Sequence, residues 1–115
     1  MPHFVVTYVH PDPDGWVRHL DAHLHWILEQ IEAGTLRASG PTQGGDVRSA
    51  LLVFAGPNEE TVRAIVDTDP YMQHGQVSGL TITEWDPIFG ILANESSRAA
   101  HTDEELLEQI RNLTA

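Results

Sequence analysis

The sequence predicts a single α+β sandwich, and three observations carry that reading. Apolar runs of strand character alternate with amphipathic stretches in the order strand, helix, strand, strand, helix, strand within about 85 residues. The first and third of the four strands are the most apolar, as strands buried in the middle of a sheet should be. The 115 residues suffice to bury one core and are too few for two.

His3 to His10 is rich in Phe, Val and Tyr and runs into Pro11-Asp12-Pro13-Asp14-Gly15, a dense turn signal, so it reads as a strand and a loop. From Val17 to Ala33, the residues Val17, Leu20, Leu24, Ile27, Leu28 and Ile31 recur at three- and four-residue steps, which predicts one helix with an apolar stripe, ended by Gly34. Leu36 to Gly40 is a short strand, Pro41 to Asp46 a loop with Gly44-Gly45, and Val47 to Ala55 a nearly continuous apolar strand, together a hairpin. Asn58 is a suitable N-cap, Glu59 and Glu60 suit the positive end of a helix, and Val62, Ile65 and Val66 give that helix an apolar side as far as Asp69-Pro70. Leu80 and Ile82 alternate with Gly79, Thr81 and Thr83, a half-buried strand from about Val77 to Trp85.

This order is the ferredoxin-like one, βαββαβ, with an antiparallel four-stranded sheet, the first and third strands central and the second and fourth at the edges. Large apolar residues occupy both alternation phases of the central strands, so the face away from the helices needs a cover. A second copy of the chain is the simplest cover, and a homodimer is expected. Beyond Asp86-Pro87, Leu106, Leu107, Ile110 and Leu113 have helical spacing behind Thr102-Asp103-Glu104-Glu105, which predicts an extra C-terminal helix. The chain thus divides into a core domain over 1–90 and a C-terminal extension over 91–115. Asn94-Glu95-Ser96 and Asn112-Leu113-Thr114 match the glycosylation pattern by accident on this reading, because no secretion signal precedes them.

Composition removes whole classes of function. A formal charge of −11, from 17 acidic against 6 basic side chains, repels phosphate backbones and anionic lipid, so neither nucleic acid nor membrane is an expected partner. All the basic residues are arginines, which excludes a lysine Schiff base and a P-loop lysine. The absence of cysteine removes disulfides, thiolate nucleophiles and cysteine-held metals. The start of the chain lacks the basic stretch and apolar core of a signal peptide, and the longest apolar run, Ala50 to Ala55, is far short of a membrane span, so a cytoplasmic location is expected.

Chemistry falls to the histidines and carboxylates. At about 100° per residue, His23 lies at the border of the apolar stripe with Trp16, His19 and Ile27 on its side, half-buried, where a tuned imidazole belongs. His19 and His23 stand at i, i+4, a spacing that suits a metal pair, but no third ligand is evident in sequence; only the fold could bring His10, Asp69 or His74 to them, and no metal is expected. Pro70 biases Asp69 toward an extended backbone and ends the helix there, so the Asp69 side chain leaves at a fixed angle.

The helix from Ala22-His23-Leu24 to Glu32-Ala33-Gly34, then Leu36-Arg37-Ala38-Ser39-Gly40-Pro41, then Asp67-Thr68-Asp69-Pro70-Tyr71 with Gly75 and the last strand, resemble the YCII-related (YciI-like) proteins over roughly Met1 to Gly90. The resemblance implies a dimeric α+β barrel similar to muconolactone isomerase, in a family that includes a dehydrochlorinase of chlorinated hydroxyhydroquinone. It implies a catalytic dyad of His23 and Asp69, with Tyr8, Ser39 and Tyr71, which adjoin the matching motifs, as substrate-binding residues. The Pro11 to Gly15 loop is unusually acidic for such a protein and the tail from Ile91 lies outside the shared region; neither departure touches the dyad.

The dyad also makes sense on its own chemistry. A carboxylate that orients an imidazole raises its basicity while partial burial lowers it, which leaves a base usable near neutral pH. Such a pair removes a proton beside a carbonyl and returns it elsewhere, or assists loss of a leaving group, with no cofactor. The expected activity is therefore an isomerase or dehydrochlorinase-like lyase acting on a small cyclic or phenolic molecule. The alternatives are a non-catalytic small-ligand module that uses the same pocket, and a cofactor-free monooxygenase with a Trp- and His-lined site. An N-terminal proline amine of the tautomerase kind is set aside while Met1 stands before Pro2.

Overall fold

A computed structural model describes residues 1–113; Thr114 and Ala115, the end of the expected extension and of the second glycosylation pattern, lie outside the described residues. Its elements are β1 (His3–His10), α1 (Pro13–Arg18), α2 (Leu20–Glu32), β2 (Leu36–Thr42), β3 (Arg48–Ala55), α3 (Glu59–Val66), α4 (Pro70–Gln73), β4 (Ser78–Trp85) and α5 (Asp103–Leu113). The sheet is antiparallel throughout, with order β2-β3-β1-β4, so β1 and β3 are central and the ferredoxin-like arrangement holds.

Register decides which side chains meet the helices. Phe4, Val6 and Tyr8 of β1 stand opposite Phe54, Leu52 and Ala50 of β3, and this face carries the core with Trp26, Val62 and Val66 above it. The other face shows Val5, Thr7 and Val9 of β1, Leu51 of β3 and Thr83 and Trp85 of β4. A bulge between Thr7 and Val9 on the β4 side is accommodated at Gly79, whose φ of +62° is open to glycine and costly to other residues.

The one long helix expected over Val17 to Ala33 is two. Pro13, at the first helical position, and Asp14 in the first turn start α1 inside the stretch expected as a loop, and the chain breaks at His19 before α2 begins. A Schellman motif closes α2: the Gly34 and Thr35 amides donate to the Ile31 and Gln30 carbonyls, with Gly34 at φ +80°. Of the apolar stripe of α2 only Ile27 packs against the core, and it is half-buried. Trp26 enters the core, 5% exposed and tilted against Phe54, while Leu28 and Ile31 remain 63% and 53% exposed. The helix is rolled so that His23 and Trp26, one turn apart, point at the end of α3, and the stripe turns toward an open cavity.

Pro41 and Thr42 extend β2 beyond the expected Gly40, and Pro41 is tolerated there because β2 is an edge strand. The tail crosses the outer face of the sheet: Glu95 accepts from both Arg37 Nε (2.7 Å) on β2 and Arg37 Nη2 (2.8 Å), and lies 3.0 Å from His3 Nε2 on β1. Thr102 caps α5, whose Leu106 is buried while Leu107 and Leu113 are exposed. Among the described residues no helix is long and apolar enough to cross a membrane.

Candidate active site

Asp69 is the N-cap of α4: its extended backbone (φ −61°, ψ 127°) sits before Pro70 at the first helical position, and its Oδ1 accepts from the Tyr71 amide at 2.9 Å. The side chain is fully buried, and two further donors reach it. Tyr8 donates its hydroxyl to Oδ2 at 2.8 Å, and His23 Nδ1 stands 2.9 Å from Oδ1. Tyr8 and the Tyr71 amide can only donate to a carboxylate, so Asp69 acts here as an acceptor and Nδ1 is the nitrogen of His23 that carries the proton. The Nε2 lone pair is then the free one, and His23, its side chain 13% exposed, lines the cavity.

The imidazole is fixed in other ways too. The Tyr71 ring stacks on it with centroids 4.4 Å apart, Trp26 flanks it at 5.8 Å, and the Tyr71 hydroxyl donates to the Trp16 carbonyl at 2.9 Å. Trp26 Nε1 donates to Thr68 Oγ1 at 2.8 Å, and Thr68 in turn to the Ile65 carbonyl, so the helix that carries His23 is tied to the turn that carries Asp69 beside the dyad itself. Burial and the Asp69 charge raise the Tyr8 phenol far above its ordinary range and push Tyr71 up to about 12, so both stay protonated as donors. His10, buried between Tyr8 and Tyr71, donates Nδ1–H to the Gln76 carbonyl, and burial lowers its affinity for a proton.

The cavity measures about 750 Å³ and lies between α2 and the β2–β3 hairpin. Leu20, Leu24, Ile27 and Ile31 form its apolar side; His10, His23, Tyr71 and Arg48 supply polar groups. Ser39 is in its wall, on the strand position opposite Leu52, and Tyr71 is there as well. Tyr8 is not in the wall: it sits 1% exposed behind Asp69 and acts on the site through that carboxylate. His19 stacks on His74 at 4.1 Å rather than joining His23, and among the described residues no three His, Asp or Glu side chains gather where they could hold a metal ion.

Pattern reasoning missed Trp26 and Arg48, and it named Trp16 and His10 without giving them their places in the cavity wall. His10 and Arg48 are directly opposed across β1 and β3, which alternation in an accepted register would have placed on the same face as Tyr8. Trp26 carried a weaker signal, since a buried indole needs a partner for its N–H and Thr68 is adjacent to Asp69.

No matching sequence is found among curated proteins. Among solved structures, the chain is similar to 5-chloro-2-hydroxyhydroquinone dehydrochlorinase from Burkholderia phenoliruptrix, determined in complex with 2,5-dihydroxybenzoquinone: TM-score 0.58, 22% identity, over 71% of this chain and 92% of that one. That likeness speaks for the fold. The YCII-related domain matches residues 1–86, which takes in every strand, the cavity and both members of the dyad, and the chain therefore belongs to the YCII-related domain family.

Proposed function

We propose that this protein is a cofactor-independent enzyme that moves a proton on a small cyclic or phenolic molecule. His23 Nε2 takes the proton from a ring carbon activated by a neighbouring carbonyl, and Asp69 stabilises the imidazolium that forms. The electron pair left behind enters a new double bond. The proton then returns to another atom of the same molecule, an isomerisation, or the pair expels a leaving group such as chloride, a dehydrochlorination. The observation that carries this reading is the 2.9 Å contact between His23 Nδ1 and a fully buried Asp69, in a histidine that lines the cavity. Likeness to a dehydrochlorinase supports the lyase form.

We further propose that the working form is a homodimer with the sheets face to face. A radius of gyration of 16.3 Å exceeds the roughly 13 Å of a compact chain this long, and Leu51 and Trp85 stand 37% and 41% exposed on the outer sheet face.

The test of the activity is chloride release from 5-chloro-2-hydroxyhydroquinone and solvent-deuterium uptake into cyclic ketones and phenols. His23→Ala should lower kcat by about 10²- to 10⁴-fold with KM within a few-fold. A variant as active as the parent would favour a ligand-binding module instead.

A further inference from the structure

The cavity has a second chemical pole besides the dyad. Arg48 opens β3 directly opposite His10 of β1, so the register puts its side chain on the same face of the sheet as Tyr8 and His10. Its guanidinium lies over the Trp16 indole, 4.1 Å from the ring centroid, and it lines the cavity. Arg37, Arg63 and Arg111 each pair with a carboxylate; among the described residues no carboxylate lies within ion-pair distance of Arg18, Arg48 or Arg98, and of these three Arg48 is the one that lines the cavity. A cation that lines the cavity from an aromatic face, with no carboxylate at ion-pair distance, is placed to meet an anionic ligand there. Trp16 connects it to the dyad: the Trp16 carbonyl accepts from the hydroxyl of Tyr71, whose ring stacks on His23. The positive charge of Arg48 also reaches both Tyr71 and His10, opposing proton uptake by His10 and easing proton loss from Tyr71.

We infer that Arg48 is the specificity-determining residue of this cavity: it selects ring compounds that bear an anionic oxygen, a carboxylate or an ionised enol or phenol, and holds that oxygen while the ring lies along Leu24 and Ile27. The inference rests on the cavity being the substrate site, and it names the class of substrate. A guanidinium forks two parallel N–H groups toward such an oxygen pair, and the aromatic shelf beneath it fixes the fork before the ligand arrives. Arg37, the other arginine in the cavity lining, is held by Glu95 through two hydrogen bonds. Burial lowers the affinity of His10 for a proton, and the His23 nitrogen away from Asp69 is an acceptor when Nδ1 carries the proton.

Two matched pairs of probes test this by nuclear magnetic resonance titration of the full chain: benzoate against benzamide, and 2,5-dihydroxybenzoquinone against its dimethyl ether. In the parent protein at least one anion should bind more tightly than its neutral twin and shift the signals of Leu24, Ile27 and Tyr71. Arg48→Gln should weaken that anion by about 10- to 100-fold and leave the neutral twin within about twofold, while Arg48→Lys keeps part of the preference. The pair that responds tells a carboxylate from an enolate oxygen. Equal loss for anion and neutral twin, no loss for either, or anion binding away from these residues overturns the assignment of Arg48. His23→Ala should leave the anion preference intact; an inactive His23→Ala variant with an Arg48→Gln variant of unchanged preference would sink Arg48 and spare the dyad. Conversely, an Arg48-dependent anion site in a protein whose His23→Ala variant turns over normally would spare Arg48 and sink the dyad.

Discussion

Three donors converge on Asp69, so changing that one side chain is felt in three places. Asp69→Asn keeps the volume but offers a carbonyl oxygen and an NH₂ group where two acceptors were needed, and one of Tyr8, Tyr71 or His23 then loses its partner. The expected result is a stability loss of about 1–3 kcal/mol in denaturant unfolding together with a collapse of activity. Tyr8 and Tyr71 are the chain's only tyrosines, and both phenols are held neutral in the folded state. Unfolded chains ionise tyrosine near 10.0, so the stabilisation these phenols give is complete below that pH and drains away as the pH rises from 10 toward the folded value of about 12 for Tyr71. Phenolate absorbance should therefore appear only with loss of near-ultraviolet dichroism; phenolate at pH 10 in a folded protein would contradict the geometry. His23 and Asp69 were each legible as candidates because helix phase and the Asp-Pro turn act locally, while their pairing came from the resemblance to the YCII-related proteins. Tyr8 was legible as a site residue but not in its position, since alternation gives its face of the sheet and says nothing of what stands between it and the cavity.

Helix α2 shows what periodicity states and what it omits. Spacing put Leu20, Leu24, Ile27 and Ile31 on one side, and they are on one side, but a shared face does not say whether a core or a cavity lies across from it. Trp26, off that stripe, settles the roll by burying its ring and finding Thr68 for its N–H. Trp26→Phe removes that donor and should cost about 1 kcal/mol, with amide exchange speeding up in α2 more than in the sheet; uniform protection would argue against the tether. Asn58 accepts from the amide of Thr61 at 2.8 Å, and Asn58→Ala should lower stability by about 1 kcal/mol without touching ligand binding. The start of α1 stayed hidden because Pro13 followed by Asp14 serves a turn and a helix N-terminus equally well.

At the scale of the molecule, the order of strands was readable because the apolar content of β1 and β3 set them in the centre, whereas the path of the tail was not, because it depends on the contacts of Glu95 with the distant Arg37 and His3 and of Ser97 with Asp86. Glu95→Gln weakens its contacts with Arg37 and His3, and should release the segment around it to hydrogen exchange while the sheet stays protected. The Arg37 hydrogen bond and the neighbouring His3 hold the Glu95 carboxyl below its usual range, so this anchor persists above the ordinary carboxylate pH and weakens as acid protonates it. Sedimentation at micromolar concentration should show twice the 12.7 kDa of one chain, and a 12.7 kDa species would remove the dimer. On the proposed function, the sheet, the rolled helix and the capped turn together present one nitrogen of His23 to the cavity. Long-range proton–nitrogen spectra of the His23 imidazole read this directly at a pH where the ring is neutral. The account predicts the Nδ1–H form in the parent protein, lost or mixed in Asp69→Asn; a parent protein with the proton on Nε2 would contradict it.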